Sequence, residues 1–170
     1  VAVHAEQDFQ GLANVGIVYR SQAVLPLKGQ FINNGTALAD TKANLNLPQI
    51  ITGAIALWPV RDQEREWKLE LDVDHVRWKS FRSTTIDLST PNALGTPALP
   101  LALNWRDSYN VMLGTEYKWL KLEQMPDWEV ALRGGYIHIQ TQMPDQTFNP
   151  GIPSSDQHIP SMGIGFLCKE

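Results

Sequence analysis

Cysteine is nearly missing from this chain. Cys168 is the only one in 170 residues, which excludes an internal disulfide and any cysteine-based zinc cluster. Long apolar runs are missing as well: no stretch reaches the roughly 18 consecutive apolar residues of a transmembrane helix. There is no block of basic residues, and the net charge is −4, so nucleic acid is not an expected partner. No secretory leader is recognisable in the opening "VAVHAEQ", which lacks an initiator Met and reads as the start of an excised piece. His138 and His158 flank a long connection without a ligand-spaced partner, so no metal site is expected. The tail "SMGIGFLC" contains no nucleophile elbow. Asp72, Asp74 and His75 lie close in sequence, but in a strand the two aspartates share a face from which the histidine points away. No catalytic constellation emerges, and neither an enzyme nor a cofactor is expected.

What the chain does have is alternation. From Trp105 to Trp119, "WRDSYNVMLGTEYKW", the odd positions form a mostly apolar stripe with aromatics at both ends. The even positions are almost entirely polar. The same period of two appears in Asn14–Ser21, from which extended structure is expected to continue to about Phe31, in Glu66–Asp74, in Trp128–Gln140 and in Ile159–Cys168. Leu47–Val60 is more uniformly apolar. That makes about six strands, and helical periodicity is scarce. After Asp74 the phase slips, because Val76 and Trp78 are apolar where His75 and Arg77 are polar; this reads as a β-bulge.

The connections have a regularity of their own. Short polar turns at "RDQERE" and "KLEQMPD" alternate strictly with long loops at Asn33–Asn46, Arg82–Asn104 and Thr141–His158. A soluble sandwich does not require that asymmetry, whereas an outer-membrane barrel has short periplasmic turns and long extracellular loops. Several strands run longer than the usual 5–6 residues or so of globular sheets and meet the roughly 9–11 that a tilted membrane strand needs. Trp58, Trp67, Trp78, Trp105, Trp119 and Trp128 lie at strand ends, as two interfacial girdles would require. The expected fold class is therefore all-β: an antiparallel up-and-down transmembrane β-barrel, of which this chain supplies a part. Lipid would touch the odd residues of Trp105–Trp119 and the even residues of Trp128–Tyr136. A soluble β-rich binding or adhesion module is the alternative, since alternation with one wet face also describes a soluble antiparallel sheet.

The motifs "GIVYRS", "LNLPQIITGA", "WKLELDVDHVRWKSF", "WRDSYNVMLGTEYKW", "WEVALRGGYIH", "PDQTFNPGIPSSDQH" and "SMGIGF", in this order, resemble the FadL/TodX family of outer-membrane transporters for long-chain fatty acids and aromatic hydrocarbons. The resemblance implies a location in the bacterial outer membrane and a fourteen-stranded barrel with an N-terminal hatch and a lateral opening. It also implies that residues 1–170 are a single segment from the C-terminal half, without the hatch and without the final strand. The implied partners are a hydrophobic small molecule and outer-membrane lipid, and the implied assembly is a monomeric barrel.

Candidate ligand-binding residues follow from that resemblance. Fatty-acid members hold a carboxylate with basic lumen residues and the tail in an apolar pocket. The stretch before the W-x-D-S-Y motif, "TPALPLALNW", supplies Leu99, Leu101 and Leu103 and no Lys or Arg, which leans toward an uncharged hydrocarbon. With loop residue Phe148 these leucines are expected to form the ligand path. Arg106 and Arg133 are the lumen-facing candidates for an acidic ligand. Pairing with Glu116 or Glu129 across neighbouring strands competes for both arginines.

Overall fold

The alternating segments pair as antiparallel strands in the computed structural model, which describes residues 1–9, 11–90, 97–148 and 154–169. In chain order the strands are β1 (Ala2–Phe9), β2 (Ala13–Arg20), β3 (Ala23–Asn33), β4 (Thr36–Leu47), β5 (Ile50–Arg61), β6 (Arg65–Val76), β7 (Ser83–Leu88), β8 (Ala98–Ala102), β9 (Ser108–Trp119), β10 (Trp128–Ile139) and β11 (Gln157–Cys168). A seven-stranded sheet has the order β1-β2-β5-β6-β9-β10-β11, and a four-stranded sheet has the order β3-β4-β7-β8. The large sheet is open, with β1 and β11 at its edges.

The large sheet thus contains the six expected strands and a seventh, β1, paired with β2 from Ala2↔Arg20 to Phe9↔Ala13. Two of the expected long loops are themselves strands. Asn33–Asn46 and Arg82–Asn104 contribute to the β3/β4 and β7/β8 hairpins of the small sheet. That sheet prolongs the large one. The β2/β5 register passes unchanged from Arg20↔Ile50 to Ala23↔Leu47 in β3/β4. The β6/β9 pairing ends at Val76↔Ser108, and β7/β8 resumes at Ser83↔Ala102. The β3/β4 hairpin closes on Asn34 and Gly35, both with positive φ (48° and 79°), the geometry that lets a two-residue Asn-Gly turn match the strand twist.

The bulge lies elsewhere than expected. β6 runs against β9 without a slip from Arg65↔Trp119 to Val76↔Ser108. His75 therefore joins the apolar face, stacked on Tyr109 with ring centroids 4.8 Å apart, and Val76 turns to the polar face, where it is buried. Besides a shift between Phe31 and Ile32 in the outer hairpin, the register shift of the large sheet occurs in β5, between Leu57↔Leu69 and Val60↔Trp67. Pro59 sits there and has no N–H for the ladder, a position at which a bulge is the usual accommodation.

Register sorts the large sheet into two faces. Successive rows of one face read Ile51–His75–Tyr109, Val73–Val111–His138–His158, Leu71–Leu113–Tyr136–Pro160, Leu69–Thr115–Gly134–Met162, Trp67–Tyr117–Leu132–Ile164 and Trp119–Val130–Phe166. The face is apolar in the middle, aromatic at the end with the short turns, and imidazole and tyrosine at the other. From Tyr109 to Trp119 the chain covers about 34 Å, or about 25 Å along the axis of a barrel whose strands tilt by about 35–45°, the height of an outer-membrane apolar band.

Candidate functional site

The opposite face carries the charge. β6 places Glu66, Lys68, Glu70, Asp72 and Asp74 on it, β9 places Glu116 and Lys118, and β10 places Glu129 and Arg133. At the end with the short turns these groups form a ladder across three strands. Lys118 Nζ lies 3.3 Å from Glu66 Oε1 and 2.8 Å from Glu116 Oε1, and Arg133 Nε donates to Glu116 Oε2. The Arg133 guanidinium lies over β11, where a Cβ on Gly165 would stand only 2.9 Å from Nη1; glycine leaves it the room. Lys68 pairs with Glu70 at 2.6 Å. Farther along, the Thr52 hydroxyl donates to Asp74 at 2.7 Å, and Asp72 Oδ1 is buried without a hydrogen-bond partner among the described residues.

Toward the long connections apolar side chains join Asp72 and Asp74 on the same face. Ile50 and Val76 pair across β5/β6, Met112 and Ile137 across β9/β10, and Ile137 and Ile159 across β10/β11, with Ile139 one step beyond. Above this patch lies the one cluster of buried apolar side chains among the described residues: Phe81, Leu103, Trp105 and Met143, with Leu45 and Trp78 packed against it. Trp105 meets Trp78 and Phe81 edge to face at 5.0 and 5.1 Å. Trp78 and Trp105 therefore belong to a loop core rather than to a girdle, and β9 begins at Ser108 rather than at Trp105. Trp58 also leaves the girdle, lying 5.3 Å from the Arg61 guanidinium and 5.6 Å from Lys68 Nζ. Trp67, Tyr117, Trp119, Trp128 and Phe166 remain at the short-turn end of the apolar face.

The structure separates the candidate ligand residues. Leu99 and Leu101 are half-buried on one face of β8, opposite Ile86 and Thr84. Leu103 is 2 % exposed in the loop core, and its carbonyl accepts the Thr147 hydroxyl at 2.7 Å. The next residue, Phe148, is 59 % exposed; the neighbouring 149–153 lie outside the described residues. Arg106 is exposed in the segment before β9, with its N–H bonded to the Gln142 carbonyl. Arg133 is far down the strand wall on Glu116. The two arginines thus belong to different ends of the face. Sequence reasoning overlooked the Met143 contribution to the loop core, for which no periodic signal exists in an irregular segment.

In the short turn after β5, Asp62 accepts the backbone N–H groups of Glu64 (2.9 Å) and Arg65 (2.7 Å). These two bonds, with the Arg65 guanidinium, hold its carboxyl below the usual range.

Long antiparallel strands, one apolar face of membrane height, one charged face and alternating short and long connections define a segment of a transmembrane β-barrel wall. Residues 5–170 match the model of the family described as outer membrane protein transport protein (OMPP1/FadL/TodX). The chain belongs to that family, and its place is the bacterial outer membrane. Among solved structures it is similar to a Pseudomonas aeruginosa FadL homologue, with a TM-score of 0.74 at 17 % identity over 96 % of this chain. The chain spans 38 % of that protein's length. No curated protein matches the sequence. In the wall of an outer-membrane barrel an apolar face of this height meets lipid and the opposite, charged face lines the lumen.

Proposed function

We propose that this chain forms part of the wall of a passive outer-membrane passage for hydrophobic compounds, and that uncharged hydrocarbons cross it better than long-chain fatty acids. The observation that carries this reading is the two-part lumen wall. Its outer part sets apolar side chains, Ile50, Val76, Met112, Ile137, Ile139 and Ile159, around two carboxylates, Asp72 in the row of Met112 and Asp74 in the row of Ile139; burying each CH₂ of a ligand against the apolar groups gains about 0.8 kcal/mol. Its inner part sets four carboxylates (Glu66, Glu70, Glu116, Glu129) beside Lys68, Lys118 and Arg133, each of which already has a carboxylate within ion-pair distance, while Arg61 and Lys169 lie on Glu66 and Glu129. A fatty-acid carboxylate passing Asp72, Asp74 and the paired inner charges meets like charge and cations that are already engaged, whereas a hydrocarbon pays no such electrostatic penalty. Leu99, Leu101, Leu103 and Phe148 are the proposed entry path, and the chemistry is binding and release alone, with no bond made or broken.

Competitive uptake tests the reading. Cells expressing the complete barrel should accumulate a labelled aromatic hydrocarbon faster than labelled oleate, relative to cells without it. Glu116→Gln, which frees Arg133, should raise oleate uptake and leave hydrocarbon uptake unchanged. Equal uptake of both compounds, with no response to Glu116→Gln, would refute the preference. Replacing Leu99 and Leu101 with Ser should slow uptake at unchanged surface abundance.

A further inference from the structure

We infer that the outer face of β6, β9 and β10 carries a binding site for one phosphorylated glycolipid of the outer leaflet, with an acyl chain over Gly134 and the phosphate at His138 and His158. In the row Leu69–Thr115–Gly134–Met162, Gly134 contributes no side chain, and a depression opens there between Leu57, Leu69, Leu71, Leu113 and Tyr136, with a volume of about 490 Å³. Its walls are apolar, as an acyl chain requires, and it lies at mid-height of the lipid face.

The end of the depression toward the long connections is polar in an unusual way for a surface in hydrocarbon. The Tyr136 hydroxyl lies 2.5 Å from His158 Nδ1. His158 stacks on its cross-strand partner His138 at 4.7 Å, and His138 Nδ1 is buried without a partner among the described residues. His75, stacked on Tyr109, completes the imidazole group one row farther out, and exposed Arg77 follows at the same end. Ring N–H groups facing hydrocarbon cost free energy unless a polar partner reaches them. At this height the available partner is a lipid headgroup. Long connections face the exterior, so the headgroup belongs to the outer leaflet. Paired imidazoles offer ring N–H donors, and a phosphate presents the acceptor oxygens that such donors need. Groove and donors adjoin at Tyr136, so a single amphiphile can occupy both.

Native mass spectrometry of the complete barrel in neutral detergent, with added lipid A, dephosphorylated lipid A or phosphatidylglycerol, tests the site. The wild type should retain one lipid A and hold it at least tenfold more strongly than the dephosphorylated form or phosphatidylglycerol. Gly134→Leu, which fills the depression, should abolish retention. Gly134→Ala, whose added methyl meets Thr115 Cγ2 at an ordinary 3.5 Å, should weaken it with the folded-barrel gel shift intact. The double variant His138→Ala/His158→Ala should still retain acylated lipid but lose the preference for the phosphorylated form. Equal retention of both forms of lipid A by the wild type, a preference for phosphatidylglycerol, or undiminished retention by folded Gly134→Ala overturns the proposal.

Discussion

The two sheets share strands' directions and register but not their physical setting. In the seven-stranded sheet β6, β9 and β10 set an apolar face against a charged one, and their sequences alternate accordingly. In the four-stranded sheet that prolongs it, apolar side chains also alternate, yet β3 is exposed along its whole length and Leu25, Leu27 and Phe31 are 43, 50 and 40 % exposed. The same ribbon, β2 into β3 and β5 into β4, passes from one regime to the other without a change of register. The ladder thus runs through both parts as far as the shift between Phe31 and Ile32 near the hairpin tip, while the stability of each part depends on what lies against its faces: bilayer for the large sheet, and the Trp105 cluster for the small one.

If the outer layer depends on that cluster, the largest effect of a single substitution should appear there. Trp105→Ala removes a ring that touches both Trp78 and Phe81, and truncating a buried aromatic costs about 3–5 kcal/mol. Limited proteolysis of the folded barrel should show new cleavage between Phe81 and Met143 sites of the outer layer, with the heat-modifiable gel shift retained. Loss of the gel shift together with the outer layer would mean that the two sheets form one cooperative unit.

The membrane sheet should respond to the opposite chemistry. Leu113 lies at mid-height of the lipid face, so Leu113→Arg should cost about 2–4 kcal/mol in guanidinium unfolding from vesicles. Asn110→Arg, on the lumen face of the same strand, and Leu27→Arg, on the exposed outer hairpin, should each cost much less. Equal costs at Leu113 and Asn110 would mean that the two faces have been exchanged or that no bilayer lies against them.

This difference also decides what could be read from sequence. β9 and β10 were legible because a bilayer on one side and water on the other impose a strict period of two, which no propensity needs to supplement. The slip at His75 and Val76 misleads because hydropathy is a poor face marker there: at a membrane interface an imidazole stacked on Tyr109 is as suitable outward as a valine is inward beneath a loop core. Pro59, whose missing N–H demands an interruption, was the better bulge signal. Asn34-Gly35 was a hairpin signal hidden inside a stretch read as loop, and β1, with Glu6 and Asp8 on one face and Ala5 and Phe9 on the other, alternates too weakly to stand out. At the lumen wall, Glu116 was legible as a partner for Arg133 because like-height positions on neighbouring strands face one another. The burial of Leu103 and Trp105 with Met143 was not, since irregular loops bring distant residues together without a period.

A smaller effect separates turn from sheet. Gly35 has φ 79°, where a side chain costs about 1–2 kcal/mol. Gly35→Val should therefore loosen the tip of the outer hairpin, seen as faster amide exchange at Asn33 and Thr36, and leave the β2/β5 pairing near Arg20 protected. Exchange that spreads into β2 would show that the hairpin tip, rather than the bilayer, holds the register of the membrane strands.

The smallest effect lies at the other end of the molecule, in the tight turn joining β5 and β6. Asp62 is held below its ordinary pKa by the N–H groups of Glu64 and Arg65, with the Arg65 guanidinium adding attraction. A carboxyl whose folded pKa is depressed contributes stability above its unfolded value, and that contribution is lost as pH falls through the folded value. The turn should therefore be indifferent to pH from neutrality down to the ordinary carboxylate range and loosen only below it. In an NMR titration the amide shifts of Glu64 and Arg65 should move together, with a midpoint below the usual aspartate value. Asp62→Asn keeps a side-chain oxygen to accept the two N–H groups but removes the titrating proton, so the same amides should stay flat across that range. A wild-type midpoint at or above the usual value would show that the carboxylate does not hold these N–H groups in the membrane-bound protein, and that the short turn owes its shape to the strand ladder alone.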